Sequence, residues 1–242
     1  MNFKGKLLIM AGYLRDRYGV FPTRPRSELF DLTNQHHCNY PKYPEVMSGG
    51  TGGLLRQKYL MFCGGGRSGK ILDQCYIYDR KNITLGPKLQ TKRFLASSVV
   101  INEDTLWVTG GLTYQGQDFK AENLKEVQTT ELVTLDKSVP GPALIHMPVK
   151  GHCLISVSET KAILTGGMRK LEGKRIVVTK HTYFYDFRAK EWSRGPWLTF
   201  SRFEHGCAAF QMQSRQIFAV AGGRGKYTST QSSVELFDPV NR

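Results

Sequence analysis

Short apolar runs, each bounded by glycine, proline or charge, recur along this chain of 242 residues. Five of them end in a pair of small residues: KLLIMAG (6–12), YLMFCGG (59–65), TLWVTGG (105–111), KAILTGG (161–167) and IFAVAGG (217–223). Their ends lie 53, 46, 56 and 56 residues apart. A second run follows each one, placing an apolar or aromatic residue close before an aspartate: Asp31, Asp79, Asp136, Asp186 and Asp238. Three of these are followed by Gly-Pro, at Gly86-Pro87, Gly141-Pro142 and Gly195-Pro196. Further runs precede the small pairs at 97–102, 153–158 and 207–212. The runs are rich in β-branched and aromatic residues and too short for helices, and they lack a 3.6-residue period, so the pattern predicts strands.

Four strands make one unit. Strand a precedes strand b, which ends in the small pair; strand c ends near the aspartate, and strand d runs towards Gly-Pro. Paired glycines suit a sharp turn packed against a neighbouring chain, where a Cβ would intrude. The aspartate can accept hydrogen bonds from the backbone that follows it and so shape the c–d turn. Four-stranded antiparallel units at this period are the blades of a β-propeller. The fold class expected is all-β, with three complete units (46–87, 94–142 and 150–196) and two partial ones (1–45 and 202–242), in a single domain over 1–242. The first unit is expected to open at strand b and the last to stop after strand c.

The order of these motifs resembles the kelch repeat. The fit is closest at 181–223, where Tyr185-Asp186, Trp192, Gly195-Pro196, Arg202, His205 and Gly222-Gly223 follow one another. The resemblance covers essentially the whole chain. It departs from the kelch pattern in the first repeat, which has Ala11-Gly12 in place of two glycines, and in strand d, where only Trp192 supplies the tryptophan. It implies a kelch-repeat propeller that binds proteins through one loop-rich face. The two roles it suggests are a substrate adapter of a ubiquitin ligase and a stand-alone or extracellular kelch protein.

Charge sharpens this picture. There are 34 Lys and Arg against 20 Asp and Glu, a net charge of +14. The last third, 168–242, carries 13 basic and 6 acidic residues. Such a field favours acidic partners. No apolar run approaches the ~18–20 residues that cross a bilayer as a helix. Lys4 and Lys6 precede LLIMAG, which is too short for the apolar core of a signal peptide. The compartment is left open between cytoplasmic and secreted.

No nucleophile elbow, P-loop, dinucleotide fingerprint or HExxH occurs, so a non-enzymatic binding module without cofactor is expected. Adjacent residues on a strand point to opposite sides, so His36-His37-Cys38 does not suggest a metal site. Because strands a and b are antiparallel, the b–c and d–a loops share one rim. That rim collects Arg15, Arg67, Arg93, Tyr114, Arg169, Arg202 and Arg224 as candidate binding residues, suited to an acidic protein segment, with pairing to the backbone or carboxylates of a neighbouring unit as the alternative role of Arg93 and Arg202. An acidic glycan or nucleic acid is the alternative ligand, and a galactose-oxidase-like enzyme a more remote reading. Cys63 and Cys75 face each other if b and c form a hairpin, within disulfide reach. Cys153 and Cys207 fall in different units and are expected to be reduced, buried thiols. Asn82-Ile83-Thr84 is a candidate N-glycosylation triplet.

Overall fold

The computed structural model describes residues 48–67, 70–79, 81–114, 123–144, 150–170, 176–226 and 229–238, together with Asn34 and the backbone of four strands nearer the N-terminus. Among the described residues, twenty-five strands form five successive antiparallel sheets and three small hairpins. Sheet I holds β1 (Asn2–Phe3), β2 (Lys6–Met10), β3 (Ser27–Asp31) and β4 (His37–Tyr40). Sheet II holds β5 (Thr51–Leu55), β6 (Tyr59–Cys63), β9 (Gln74–Tyr78) and β10 (Ile83–Lys88), with the hairpin β7 (Gly66–Arg67) and β8 (Lys70–Ile71) between β6 and β9. Sheet III holds β11 (Ser97–Asn102), β12 (Thr105–Thr109), β15 (Thr130–Val133) and β16 (Ser138–Pro140), with β13 (Leu112–Tyr114) and β14 (Leu124–Glu126) as its hairpin. Sheet IV holds β17 (Cys153–Ser158), β18 (Lys161–Thr165), β21 (Thr182–Asp186) and β22 (Glu191–Arg194), with β19 (Met168–Lys170) and β20 (Ile176–Val178). Sheet V has three strands: β23 (Gly206–Met212), β24 (Arg215–Ala221) and β25 (Val234–Phe237).

Each sheet is a simple meander, because short turns can join only antiparallel neighbours. The first sheet differs from expectation. Asn2–Phe3 pairs with Lys6–Leu7 as a short strand a, and His37–Tyr40 supplies a strand d without Gly-Pro, so sheet I carries four strands. In sheet II, Gly86-Pro87 lies inside β10, where the register shifts between Leu85 and Lys88, and does not end the strand. In sheets III and IV the pair does end strand d, and the threonine that opens strand c donates its hydroxyl to the proline carbonyl (Thr130 to Pro142, Thr182 to Pro196).

The sheets stack face to face. Strands β5, β11, β17 and β23 pack in succession, so strand a of each sheet lies against strand a of the next. Between sheets II and III, Leu55, Met61, Leu106, Val108 and Val133 are buried together. On the other face of β12, Trp107 packs against Tyr185, Phe187 and Trp192 at ring-centre distances of 5.1, 5.3 and 5.7 Å. Alternation along one strand therefore feeds two interfaces, which is what a sheet buried on both faces requires.

Backbone hydrogen bonds join the sheets near strand a. The Leu95 N–H donates to the Gly49 carbonyl (2.9 Å), Gly151 to Leu95 (3.1 Å) and Glu204 to Gly151 (2.7 Å). All four residues have left-handed φ, from 53° to 62°. The glycine pairs stand beside this chain. Gly64 and Gly166 lie so close to the Arg93 and Arg202 carbonyls that a Cβ would approach to 2.6 and 2.5 Å. The strand-c aspartates act as expected at Asp79, which accepts from the Lys81 and Asn82 N–H groups, and at Asp186, which accepts from Arg188 and Ala189. Sheet III departs from this, because register places Thr134 and not Asp136 in the turn-shaping position, accepting from Asp136 and Lys137.

Candidate binding rim

The b–c hairpins and the d–a loops occupy the same end of the sheets, the end marked by the glycine pairs. At each junction the residue entering strand a forms a β-bridge with the residue after the pair: Ser48 with Gly66, Phe94 with Leu112, Lys150 with Met168, and Phe203 with Arg224. This repeated bridge fixes where each side chain stands. Arg67 and Arg169 fall in the same register, second after the pair, whereas Arg224 stands one place earlier. Arg67 is exposed on its hairpin, and Arg169 is half-buried. Tyr114 lies at the end of β13 with the Lys92 ammonium 5.8 Å from its ring centre. Arg224 is half-exposed and lies 3.6 Å from Glu204. Lys150 pairs with Glu126 at 3.4 Å. Arg15 lies outside the described residues.

Arg93 and Arg202 do not belong to the solvent-facing rim, which corrects the sequence expectation. Both are essentially inaccessible, at 1% and 0% exposure. The Arg93 guanidinium donates to Glu131 from Nε (3.0 Å), to the carbonyls of Gly110 (2.9 Å) and Thr129 (2.8 Å), and to the Thr129 hydroxyl (2.9 Å). Glu131 also accepts from the Gln90 and Thr91 N–H groups and the Ser138 hydroxyl. Arg202 repeats this arrangement with Glu235 (2.6 Å), the carbonyls of Gly222 and Ser233, and the Ser233 hydroxyl. Burial of Glu235 works to raise its pKa, but hydrogen bonds from Thr199, Arg202 and Phe200 outweigh it, and the carboxyl ends below its ordinary range. Each arginine ties the loop entering a sheet to strands b and c of that sheet.

His152 and His205 also play one structural role. Their Nε2 atoms meet the hydroxyls of Thr109 (2.7 Å) and Thr165 (2.9 Å), the last residue of strand b in the preceding sheet. Burial, reinforced by the Arg202 cation, pushes the His205 pKa down to about 4.

Cysteine chemistry goes further than the sequence suggested. Cys63 and Cys75 are directly opposite on β6 and β9 and form a buried disulfide. Cys153 and Cys207 also form a disulfide, joining β17 of sheet IV to β23 of sheet V, so the expectation of reduced thiols is corrected. The reason is that strand a of sheet IV packs against strand a of sheet V, with Cys207 one register place further along its strand than Cys153.

A group of basic and aromatic side chains at the rim lies on sheet IV. Gly195-Pro196 turns the chain back so that Leu198 N–H reaches the Lys180 carbonyl (2.8 Å), which lays Trp197 over the start of β21. Gly195 is required there, since a Cβ would come within 2.4 Å of the Thr182 hydroxyl. His181, Thr182, Tyr183, Arg194 and Trp197 line a small cleft. Trp197 is 59% exposed, its ring centre 5.3 Å from His181 and 5.2 Å from the Lys180 ammonium. Burial and then the charges of Arg169, Arg194 and Lys180 hold the His181 pKa below its ordinary value. The imidazole is thus neutral at pH 7 and sits within the field of three cations. Of this group only Arg169 was singled out from sequence; Trp197 lies outside the repeat pattern, directly after Gly195-Pro196.

No family model matches the sequence, and no curated protein matches it. Among solved structures, that of YjhT superposes on 99% of this chain and 80% of its own with a TM-score of 0.77, at 11% identity. At that identity the likeness speaks to fold alone, and it gives the chain a β-propeller-like all-β architecture.

Proposed function

We propose that this chain is a kelch-type β-propeller whose basic rim binds an acidic segment of a protein partner, without catalysing a reaction. The observation that carries the reading is the sheet IV cleft, where Arg169, Lys180 and Arg194 converge on a neutral His181 beside an exposed Trp197. Guanidinium groups suit carboxylates, and an accessible indole adds apolar and cation–π contact. Arg67, in the register of Arg169 but two sheets away on the same rim, extends the same field. The adapter and stand-alone roles suggested by the kelch pattern both use such a surface.

Titration with a fluorescent acidic peptide containing an aromatic residue tests this. Loss of two charge-assisted contacts at roughly 1.5–3 kcal/mol each predicts that Arg169→Ala with Arg194→Ala weakens binding on the order of a hundredfold or more. Binding should fall with salt. The His181 pKa should rise on complex formation, because the bound anion opposes the neighbouring cations. Equal affinity of wild type and double variant would overturn the reading. Preference for heparin or a single-stranded oligonucleotide over the peptide would favour an acidic glycan or nucleic acid as ligand.

A further inference from the structure

Asn82 opens the only Asn-x-Ser/Thr triplet in the sequence, Asn82-Ile83-Thr84. The triplet sits in the c–d turn of sheet II. The turn is held by the Asp79 carboxylate, which accepts from the Asn82 N–H (2.8 Å), and by the Asp79 N–H, which donates to the Asn82 carbonyl (3.2 Å). Asn82 and Thr84 are both exposed. Strand β9 runs away from the glycine-pair end, since Cys75 faces Cys63 while Tyr78 faces Leu60. The triplet therefore projects from the end of the sheet opposite the basic rim. It also begins β10, the edge strand of its sheet, whose Leu85 is 71% exposed. Exposed edges and isolated apolar side chains invite pairing with another chain unless something covers them.

Two disulfides bear on the same point. One closes a hairpin and the other joins two sheets, and both belong to the folded state. Disulfides that staple a fold form and persist in oxidising, exporting compartments. Those are the compartments in which Asn-x-Ser/Thr triplets are glycosylated.

We infer that Asn82 is an N-glycosylation site and that the chain folds in an exporting compartment. In the transfer, the Asn82 side-chain nitrogen attacks the anomeric carbon of an oligosaccharide carried on a polyisoprenyl diphosphate. The new C–N bond replaces the C–O bond to the diphosphate, which leaves and takes up the displaced proton. The glycan covers the β10 edge near Leu85 and leaves the opposite rim open.

The test uses the endogenous chain, detected by antibody before and after peptide:N-glycosidase. Recombinant chain carrying a secretion leader, read in total translation product, assigns the site. The expected result is a glycosidase-sensitive mass on both, lost in Asn82→Gln and Thr84→Ala and kept in Thr84→Ser. Endogenous chain whose mass does not respond to the enzyme overturns the inference. So does a recombinant chain that forms both disulfides yet carries no glycan at Asn82.

Discussion

Replacing Arg93 by alanine removes a fully buried cation and leaves four acceptors behind. Glu131, 2% exposed, keeps the Gln90 and Thr91 N–H groups and the Ser138 hydroxyl but loses its counter-charge. The carbonyls of Gly110 and Thr129 and the Thr129 hydroxyl lose their guanidinium donors. Breaking one side of a buried ion pair costs about 3–5 kcal/mol. Each stranded acceptor adds up to about 1–3 kcal/mol, in part recovered by water entering the gap. A total of about 4 kcal/mol is a large part of the roughly 5–15 kcal/mol that holds a domain together. Urea unfolding followed by tryptophan fluorescence reads it, because Trp107 is buried at the next sheet interface. Arg93→Met, Glu131→Gln and their double variant form a cycle in which the double variant should be less damaged than the sum of the singles, by more than about 1 kcal/mol. The folded fraction of Arg93→Ala should bind the acidic peptide as wild type does. A cost below about 1 kcal/mol with additive singles would refute the staple, and a specific loss of binding would return Arg93 to the rim.

His205 predicts a pH dependence. Its folded pKa of about 4 lies below the unfolded value near 6.5, so the unfolded chain takes up the proton first as pH falls. This group costs nothing above pH ~6.5, and its destabilising effect grows between ~6.5 and ~4 to about 3 kcal/mol; denaturant midpoints against pH should be flatter for His205→Gln. A slope unchanged by that variant would show that His205 titrates normally. The disulfides predict an order of reduction. Cys153 and Cys207 are half-buried while Cys63 and Cys75 are at most 1% exposed, so brief dithiol treatment and alkylation mapping should label the former pair first. In the chain-entropy model the 12- and 54-residue separations correspond to about 3 and about 4 kcal/mol, so loss of Cys153–Cys207 should lower stability more.

Strands were legible because their signals are local. Alternation, small pairs and turn residues each act within a few positions, and the Cys63–Cys75 pairing follows from the register of one hairpin. Cys153–Cys207 depends on β17 lying against β23, which no single repeat contains. The available clue was that each cysteine follows closely on the histidine that precedes strand a, although Cys207 stands one register place beyond Cys153. The short β1 was missed because two residues carry no period. Trp197 was missed because the cleft arises from a loop folding back onto β21, a contact with no periodic trace in the chain.

Arginine has two fates at one end of this molecule, and the repeats themselves tell them apart. Among the described residues, the position entering strand a is Arg93 in sheet III and Arg202 in sheet V. The second residue of strand c, read by ladder register, is Tyr76, Glu131, Tyr183 and Glu235. In sheets III and V the arginine at the first position meets a glutamate at the second. A cation can enter such a junction only if a carboxylate and free carbonyls receive it, since an unpaired buried charge costs more than the junction gains. Arg67 and Arg169 stand beyond the glycine pairs, on the hairpins β7–β8 and β19–β20. The separation follows from geometry: Arg93 and Arg202 enter strand a within the shared junction and are structural, while Arg67 and Arg169 stand past the glycine pair on the proposed binding rim. Exchanging the two kinds should therefore have opposite signatures, with Glu131→Gln lowering stability at constant affinity and Arg169→Ala lowering affinity at nearly constant stability.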